Sequence, residues 1–197
     1  ISANAEAMEL INGKNEWTGN IISQVKRLSL LINDLVLLSK IGETSAKDLT
    51  LVDTDLSEAV KSSAGSFRQM IEDAGKTLSV EAESGIHAKV EPRLFSEIVS
   101  ILLDNAVKYC DEKGTITTRL EKNKKGVILS VSNPYQEGAS EDYERFFERF
   151  YRGDTSHNSK RSGYGIGLAM ARDMARLMKG SLGVSYKDGV ITFSMSL

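Results

Sequence analysis

Gly163-Tyr164-Gly165-Ile166-Gly167-Leu168 opens directly into helical periodicity over residues 165–179, and the reading of this stretch decides the fold. Three glycines at every second position leave backbone N–H groups open to a ligand, and the N-terminus of the following helix adds positive potential. Phosphate suits that environment. Tight packing of the loop is the other use of the same glycines, and the motif by itself leaves both open. It is not a dinucleotide-binding turn, which needs a preceding strand and a different glycine spacing; here a polar loop precedes.

Outward from the glycines, Phe146-Phe147-Glu148-Arg149-Phe150-Tyr151-Arg152 is the one dense apolar patch in a polar stretch over residues 133–164. A loop of that length inside a compact domain is usually functional or disordered. Arg149 and Arg152 suit phosphates, and equally a surface cluster of ion pairs. Further back, Leu102-Leu103-Asp104-Asn105-Ala106-Val107-Lys108-Tyr109 reads as helix. Leu102 and Ala106 face a core, while Asn105, Lys108 and Tyr109 share another face at i, i+3 and i+4. An Asn amide oxygen is a hard ligand suited to Mg²⁺, and a lysine one turn on can neutralise a phosphate. An ordinary amphipathic helix with a solvated face has the same pattern.

Around these segments, residues 49–56 alternate like a strand, and Asp55 can cap a helix over 56–74 that Gly75 ends. Residues 77–82 alternate again. Pro92 opens a helix whose apolar positions are Leu94, Ile98, Ile101 and Leu102. Strands over 114–121 and 126–132 are joined by a turn at 122–125. After the glycines, Met170, Met174 and Met178 form a core stripe, and strands over 181–186 and 189–197 follow. Helices interleaved with hairpin-joined strands make this part α+β.

The first forty residues differ. Ile21, Val25, Leu28, Ile32 and Leu35 recur at heptad spacing, and Ile22, Leu31 and Leu38 widen that face towards a bundle. Ile1, Ala5 and Met8 mark a shorter helix. The polar segment 13–20, with two glycines, reads as the turn between two antiparallel helices, with Trp17 packing across the bundle end. Residues 41–48 read as a linker.

Composition narrows the function classes. The 197 residues carry 25 Lys and Arg against 27 Asp and Glu, a net charge of −2, which argues against a nucleic-acid-binding face. One cysteine, Cys110, excludes an internal disulfide and reads as a small buried hydrophobe; two distant histidines exclude a His-rich metal centre. No apolar run approaches the roughly 18 residues of a membrane span. Ile1 opens without a signal peptide, so the chain reads as a cytoplasmic piece cut from something longer.

Taken together and in this order, the Asn helix, the aromatic patch, the long polar loop and the triple-glycine turn resemble the nucleotide-binding domain of sensor histidine kinases. That domain has the Bergerat ATP-binding fold shared with gyrases and heat-shock chaperones. The resemblance rests on an N-box at residues 102–109, an F-box at 146–152 and a second glycine box at 163–168. It implies a two-layer α/β sandwich over residues 45–197, preceded at 1–44 by a helical hairpin from the dimerisation and phosphotransfer bundle. It implies ATP and Mg²⁺ as cofactors, with Asn105 holding the metal, Lys108 on a phosphate, and Tyr109 and Leu168 lining the pocket. Gly163, Gly165 and Gly167 would let the loop approach the phosphates. The implied partners are a second copy through the bundle and the receiver domain of a response regulator, with membrane contact only through segments N-terminal to this chain.

Two positions depart from the family. Its first glycine box reads Asp-x-Gly-x-Gly, with the Asp accepting from the adenine amino group; here the stretch is Asn133-Pro134-Tyr135-Gln136-Glu137. Asn133 keeps an acceptor but loses the charge. Ile101 stands where the kinases place another Asn and the related ATPases a carboxylate, and isoleucine cannot act as a base, which disfavours intrinsic hydrolysis. Neither His87 nor His157 has the context of a phosphoacceptor, which is expected upstream of Ile1. The expectation is a histidine kinase fragment that does not phosphorylate itself in isolation; the alternative is a degenerate nucleotide domain serving as a scaffold.

Overall fold

The computed structural model describes residues 1–43, 49–124, 126–151 and 164–197. Contacts divide the chain into two compact units, Ile1–Lys40 and Ile41–Leu197. Among the described residues, no helix is long and apolar enough to cross a membrane.

In the first unit, α1 (Ser2–Asn12) is followed by α2, which runs over Glu16–Glu43 and so continues past the unit's end. The turn between them is shorter than the polar segment 13–20 suggests. Asn15 Oδ1 accepts from the Thr18 N–H at 2.9 Å, an N-cap that starts α2 early and leaves Gly19 inside it. Buried Thr18 then ties the two helices together by donating its hydroxyl to Glu9 Oε1 on α1 at 2.8 Å. Trp17 is 79% exposed rather than packed across the helix ends. The heptad positions Ile21, Leu28, Ile32 and Leu35 of α2 are all at least 40% exposed within this chain.

The second unit is a two-layer sandwich. Its strands and helices are β1 (Val52–Asp55), α3 (Leu56–Asp73), β2 (Thr77–Ala82), β3 (His87–Val90), α4 (Pro92–Tyr109), β4 (Thr115–Asn123), β5 (Gly126–Pro134), α5 (Gly167–Leu177), β6 (Ser181–Lys187) and β7 (Val190–Ser196). β1 and β3 form a small antiparallel pair. The main sheet has the order β2-β4-β5-β7-β6, with β2 parallel to β4 and every other pairing antiparallel. Three helices cover one face of it. Strict alternation along β5 sends Val127, Leu129, Val131 and Asn133 inward, where Leu120, Phe193 and Met195 meet Phe95, Ile98, Leu102 and Met174 of the helices. Full burial of one such large side chain stabilises the fold by about 1.5–3 kcal/mol.

The helix starts follow local chemistry. Asp55 accepts from the Glu58 N–H at 3.0 Å and opens α3. Glu91 accepts from the Leu94 N–H at 2.6 Å just ahead of Pro92, which opens α4. The methionine stripe of α5 is core, with Met170, Met174 and Met178 all buried, and Cys110 is buried with its thiol pKa pushed up by desolvation. α5 is shorter than its periodicity predicts, because Gly165 takes a left-handed backbone (φ 69°) that no helix accepts. The polar stretch before it contains two short 3₁₀ turns, Gln136–Ser140 and Tyr143–Phe147.

On the face away from the helices, pairing aligns Ser79, Thr117, Ser132, Thr192 and Ser185 in one row of hydroxyls across all five strands. The inward face holds one hydroxyl out of place: Thr118 Oγ1 is buried with no hydrogen-bond partner. Thr118→Val keeps the shape and removes that unsatisfied group. It should therefore raise stability by about 1 kcal/mol, or roughly 2–4 °C in a domain of this size. A thermal melt in which the valine variant is equal or less stable would show that the hydroxyl is satisfied.

Candidate functional site

The last turns of α4 carry the polar face read from the sequence. Asn105 is half-buried, and its side chain makes no hydrogen bond among the described residues. One turn on, Lys108 is held in an ion pair with Asp104, at i and i+4 on the same helix. Tyr109 lies edge-on to Tyr135, ring centres 5.9 Å apart, so that the end of α4 meets the segment following β5. One turn before Asn105, Ile101 reaches α5: a Cβ placed on Gly167 would lie 3.3 Å from Ile101 Cγ2. The helix bearing Asn105 and the first residue of α5 are thus in contact through an apolar pair.

α5 begins without a side-chain cap, its preceding residue being Ile166. Among the described residues, the first of its N–H groups to find a backbone acceptor is that of Met170, bonded to Ile166 O at 3.0 Å. Among those residues, the N–H groups of Gly167, Leu168 and Ala169 are therefore the open donors of a helix N-terminus. Leu168 is half-buried. Gly165 has a packing role of its own. A Cβ there would fall 2.3 Å from Tyr151 O, and Gly165 O accepts from the Phe150 N–H at 2.8 Å. The aromatic patch and the glycine turn are joined backbone to backbone at this point. Arg152 and Gly163 lie outside the described residues, as does His157.

The aromatic patch also leans on α5 by its side chains. Arg172 donates from Nη2 to Phe147 O at 3.0 Å and stands over the Phe147 ring, 4.9 Å from its centre. Arg149 pairs with Asp173 at 3.3 Å, the surface ion-pair use of that residue. Arg145 covers the Tyr151 ring at 4.2 Å.

At the far end of the helix layer, Asn133 closes β5 on the inward face and is 1% exposed. Its Nδ2 donates to Pro134 O at 2.9 Å, which leaves Oδ1 as the accepting end of the amide. The sequence reading missed the groups that hold this turn. Asp111, just beyond α4, gives its N–H to Pro134 O at 3.0 Å and takes the Gln136 N–H on Oδ2 at 3.0 Å. Lys76 Nζ donates to Val107 O at 2.6 Å and satisfies a carbonyl of the last turn of α4. These contacts span 23 to 31 residues, and no local pattern announces them.

No group of three or more His, Cys, Asp or Glu able to hold a metal occurs among the described residues. His87, at the first position of β3, pairs with Asp53 at 3.2 Å and is half exposed, an ordinary surface pair. A cation at this site would therefore rest on the Asn105 amide oxygen and on ligand oxygens, a donor set suited to Mg²⁺, which retains waters and substrate phosphates among its ligands.

Comparison with known proteins bears on the family and the fold. Residues 89–197 match the family described as histidine kinase-, DNA gyrase B-, and HSP90-like ATPase. The chain is 28% identical over 182 residues to the sensor protein DltS of Streptococcus agalactiae, covering 92% of this chain and 46% of DltS. The chain thus spans less than half the length of the curated relatives it matches, 46% of DltS and 37% of the probable sensor protein PcoS of Escherichia coli. Its fold is similar to that of the Acinetobacter baumannii histidine kinase AdeS, with a TM-score of 0.72 and 18% identity over 100% of this chain and 92% of the other. Full-length ShkA, solved in complex with AMPPNP, superposes with a TM-score of 0.76 and 21% identity over 97% of this chain and 40% of that one. The relatives reported above are sensor proteins and a histidine kinase, and the chain belongs to the family of histidine kinase-, DNA gyrase B-, and HSP90-like ATPases.

Proposed function

We propose that this chain binds Mg·ATP between the Asn105 turn of α4 and the N-terminus of α5. Within a longer sensor histidine kinase it would serve transfer of a phosphoryl group to a histidine, for relay to an aspartate of a response regulator. The observation that carries the reading is the Asn105 side chain, half-buried and without a hydrogen bond among the described residues, one turn from the Ile101–Gly167 contact.

Bound Mg·ATP supplies the γ-phosphoryl group. The chain's part is positioning and charge neutralisation, which is most of what phosphoryl transfer asks of a protein. Asn105 Oδ1 would ligate the cation. Lys108 would exchange the Asp104 carboxylate for a phosphate oxygen, and the open N–H groups of α5 would donate to phosphate. Asn133 Oδ1 would accept from the adenine amino group, with Tyr109 and Leu168 lining the pocket. Arg149, paired with Asp173 as Lys108 is with Asp104, would reach a phosphate only by a like exchange. Ile101 spends its side chain on Gly167 and offers no base for activating water. The exposed heptad positions of α2 would pair with a second copy in a helical bundle.

Calorimetric titration with ADP and a non-hydrolysable ATP analogue, with and without Mg²⁺, tests the reading. Saturable binding is expected with both, tightened about tenfold by Mg²⁺, or 1.4 kcal/mol. No binding by the folded chain would overturn it and favour a non-enzymatic scaffold.

A further inference from the structure

Asp111 is placed to hold two parts of the site in register. Its N–H goes to Pro134 O at 3.0 Å, its C=O takes the Gly114 N–H at 3.1 Å, and Oδ2 takes the Gln136 N–H at 3.0 Å. The segment it grips, residues 134–136, lacks the glycines that would let it turn unaided, and Pro134 brings no N–H. Its path is therefore fixed from outside, by Asp111 on the α4 side and by the Tyr135 N–H to Gly189 O bond at 2.8 Å on the other. The same Pro134 oxygen that accepts from Asp111 also accepts from Asn133 Nδ2 at 2.9 Å.

We propose that Asp111 is a positioning residue for the nucleobase: by pinning the turn at Gln136 it fixes Pro134 O, and through that oxygen it fixes which end of the Asn133 amide can accept. This rests on the nucleotide reading above. A carboxylate would present only acceptors, whereas an amide can turn over and present N–H groups instead. With Nδ2 committed to Pro134 O, Asn133 offers an acceptor and favours a 6-aminopurine over a 6-oxopurine. Losing the Asp111 carboxylate hands the exposed Gln136 N–H to water and leaves Pro134 O held by the Asp111 N–H alone, a looser hold that lets the amide turn.

The test compares binding of ADP and inosine diphosphate, with thermal melts alongside, for the wild-type chain, Asp111→Ala and Asp111→Asn. Asp111→Ala should weaken ADP about tenfold and lower the ADP preference over inosine diphosphate about threefold or more. Asp111→Asn, whose Oδ1 can take the same N–H, should restore both to within about twofold. A lower melting temperature in Asp111→Ala with an unchanged preference would make Asp111 merely structural and overturn the inference alone. Failure of the wild-type chain to bind either nucleotide would overturn the nucleotide reading itself, and this inference with it.

Discussion

Asn105→Ala should abolish the Mg²⁺-dependent part of nucleotide affinity while leaving the fold intact. The expected loss is about tenfold, the whole of the Mg²⁺ increment. The same residue in a purely structural role would behave differently. Its side chain makes no hydrogen bond among the described residues, so truncation breaks no internal hydrogen bond there. Alanine is also the better helix former by several tenths of a kcal/mol. The melting temperature of the free chain should accordingly stay level or rise slightly. Binding of ADP without Mg²⁺ should change little, because the amide would act on the cation rather than on the base. Titrations with and without Mg²⁺ separate these effects. A variant that keeps the full Mg²⁺ increment would remove Asn105 from the metal site.

The place of Asn105 near the end of α4 was legible because every signal around it is local. Pro92 and the apolar spacing at Leu94, Ile98 and Leu102 define α4, and spacing along a helix fixes which residues share a face. The core methionines of α5 and the caps at Asp55 and Glu91 have the same character. What the sequence reading cannot see is decided by distant chain segments. Arg149 stays open there between a phosphate and a surface ion pair, and the Asp173 that pairs with it lies 24 residues away on α5. Lys76 and Asp111 carried no pattern at all, because what recommends them is Val107 O and the Gln136 N–H, reached only after folding. The start of α2 is an instructive exception. Asn15 is a local signal for an N-cap that the reading passed over, taking the polar segment and its two glycines for a turn. Gly19 costs the helix only about 1 kcal/mol, which the cap and the Thr18–Glu9 bond offset.

The glycines of the 163–168 motif left open a choice between phosphate and packing, and two of them let it be put to experiment. Gly165→Ala should be the most damaging single methyl in this region. The left-handed backbone costs a non-glycine residue about 1–2 kcal/mol. The new Cβ would also sit 2.3 Å from Tyr151 O and 2.9 Å from the Phe150 carbonyl carbon, both backbone atoms that cannot swing aside. Overpacking of that kind costs roughly 1–3 kcal/mol more. A melting temperature lower by roughly 5–15 °C follows, together with loss of the Phe150 N–H to Gly165 O bond. Gly167→Ala is the opposite case. It stands in the first turn of α5 with an ordinary helical backbone, where alanine gains up to about 1 kcal/mol. Among the described residues the new methyl would meet only Ile101 Cγ2 at 3.3 Å, a side chain that can yield. Its melt should stay within a few degrees of wild type. Its ADP affinity should nonetheless fall about tenfold or more, 1.4 kcal/mol, if phosphates approach the open N–H groups of this turn. A Gly167→Ala variant that binds ADP as the parent does would leave the whole motif a packing device, and would move the phosphate site away from the N-terminus of α5.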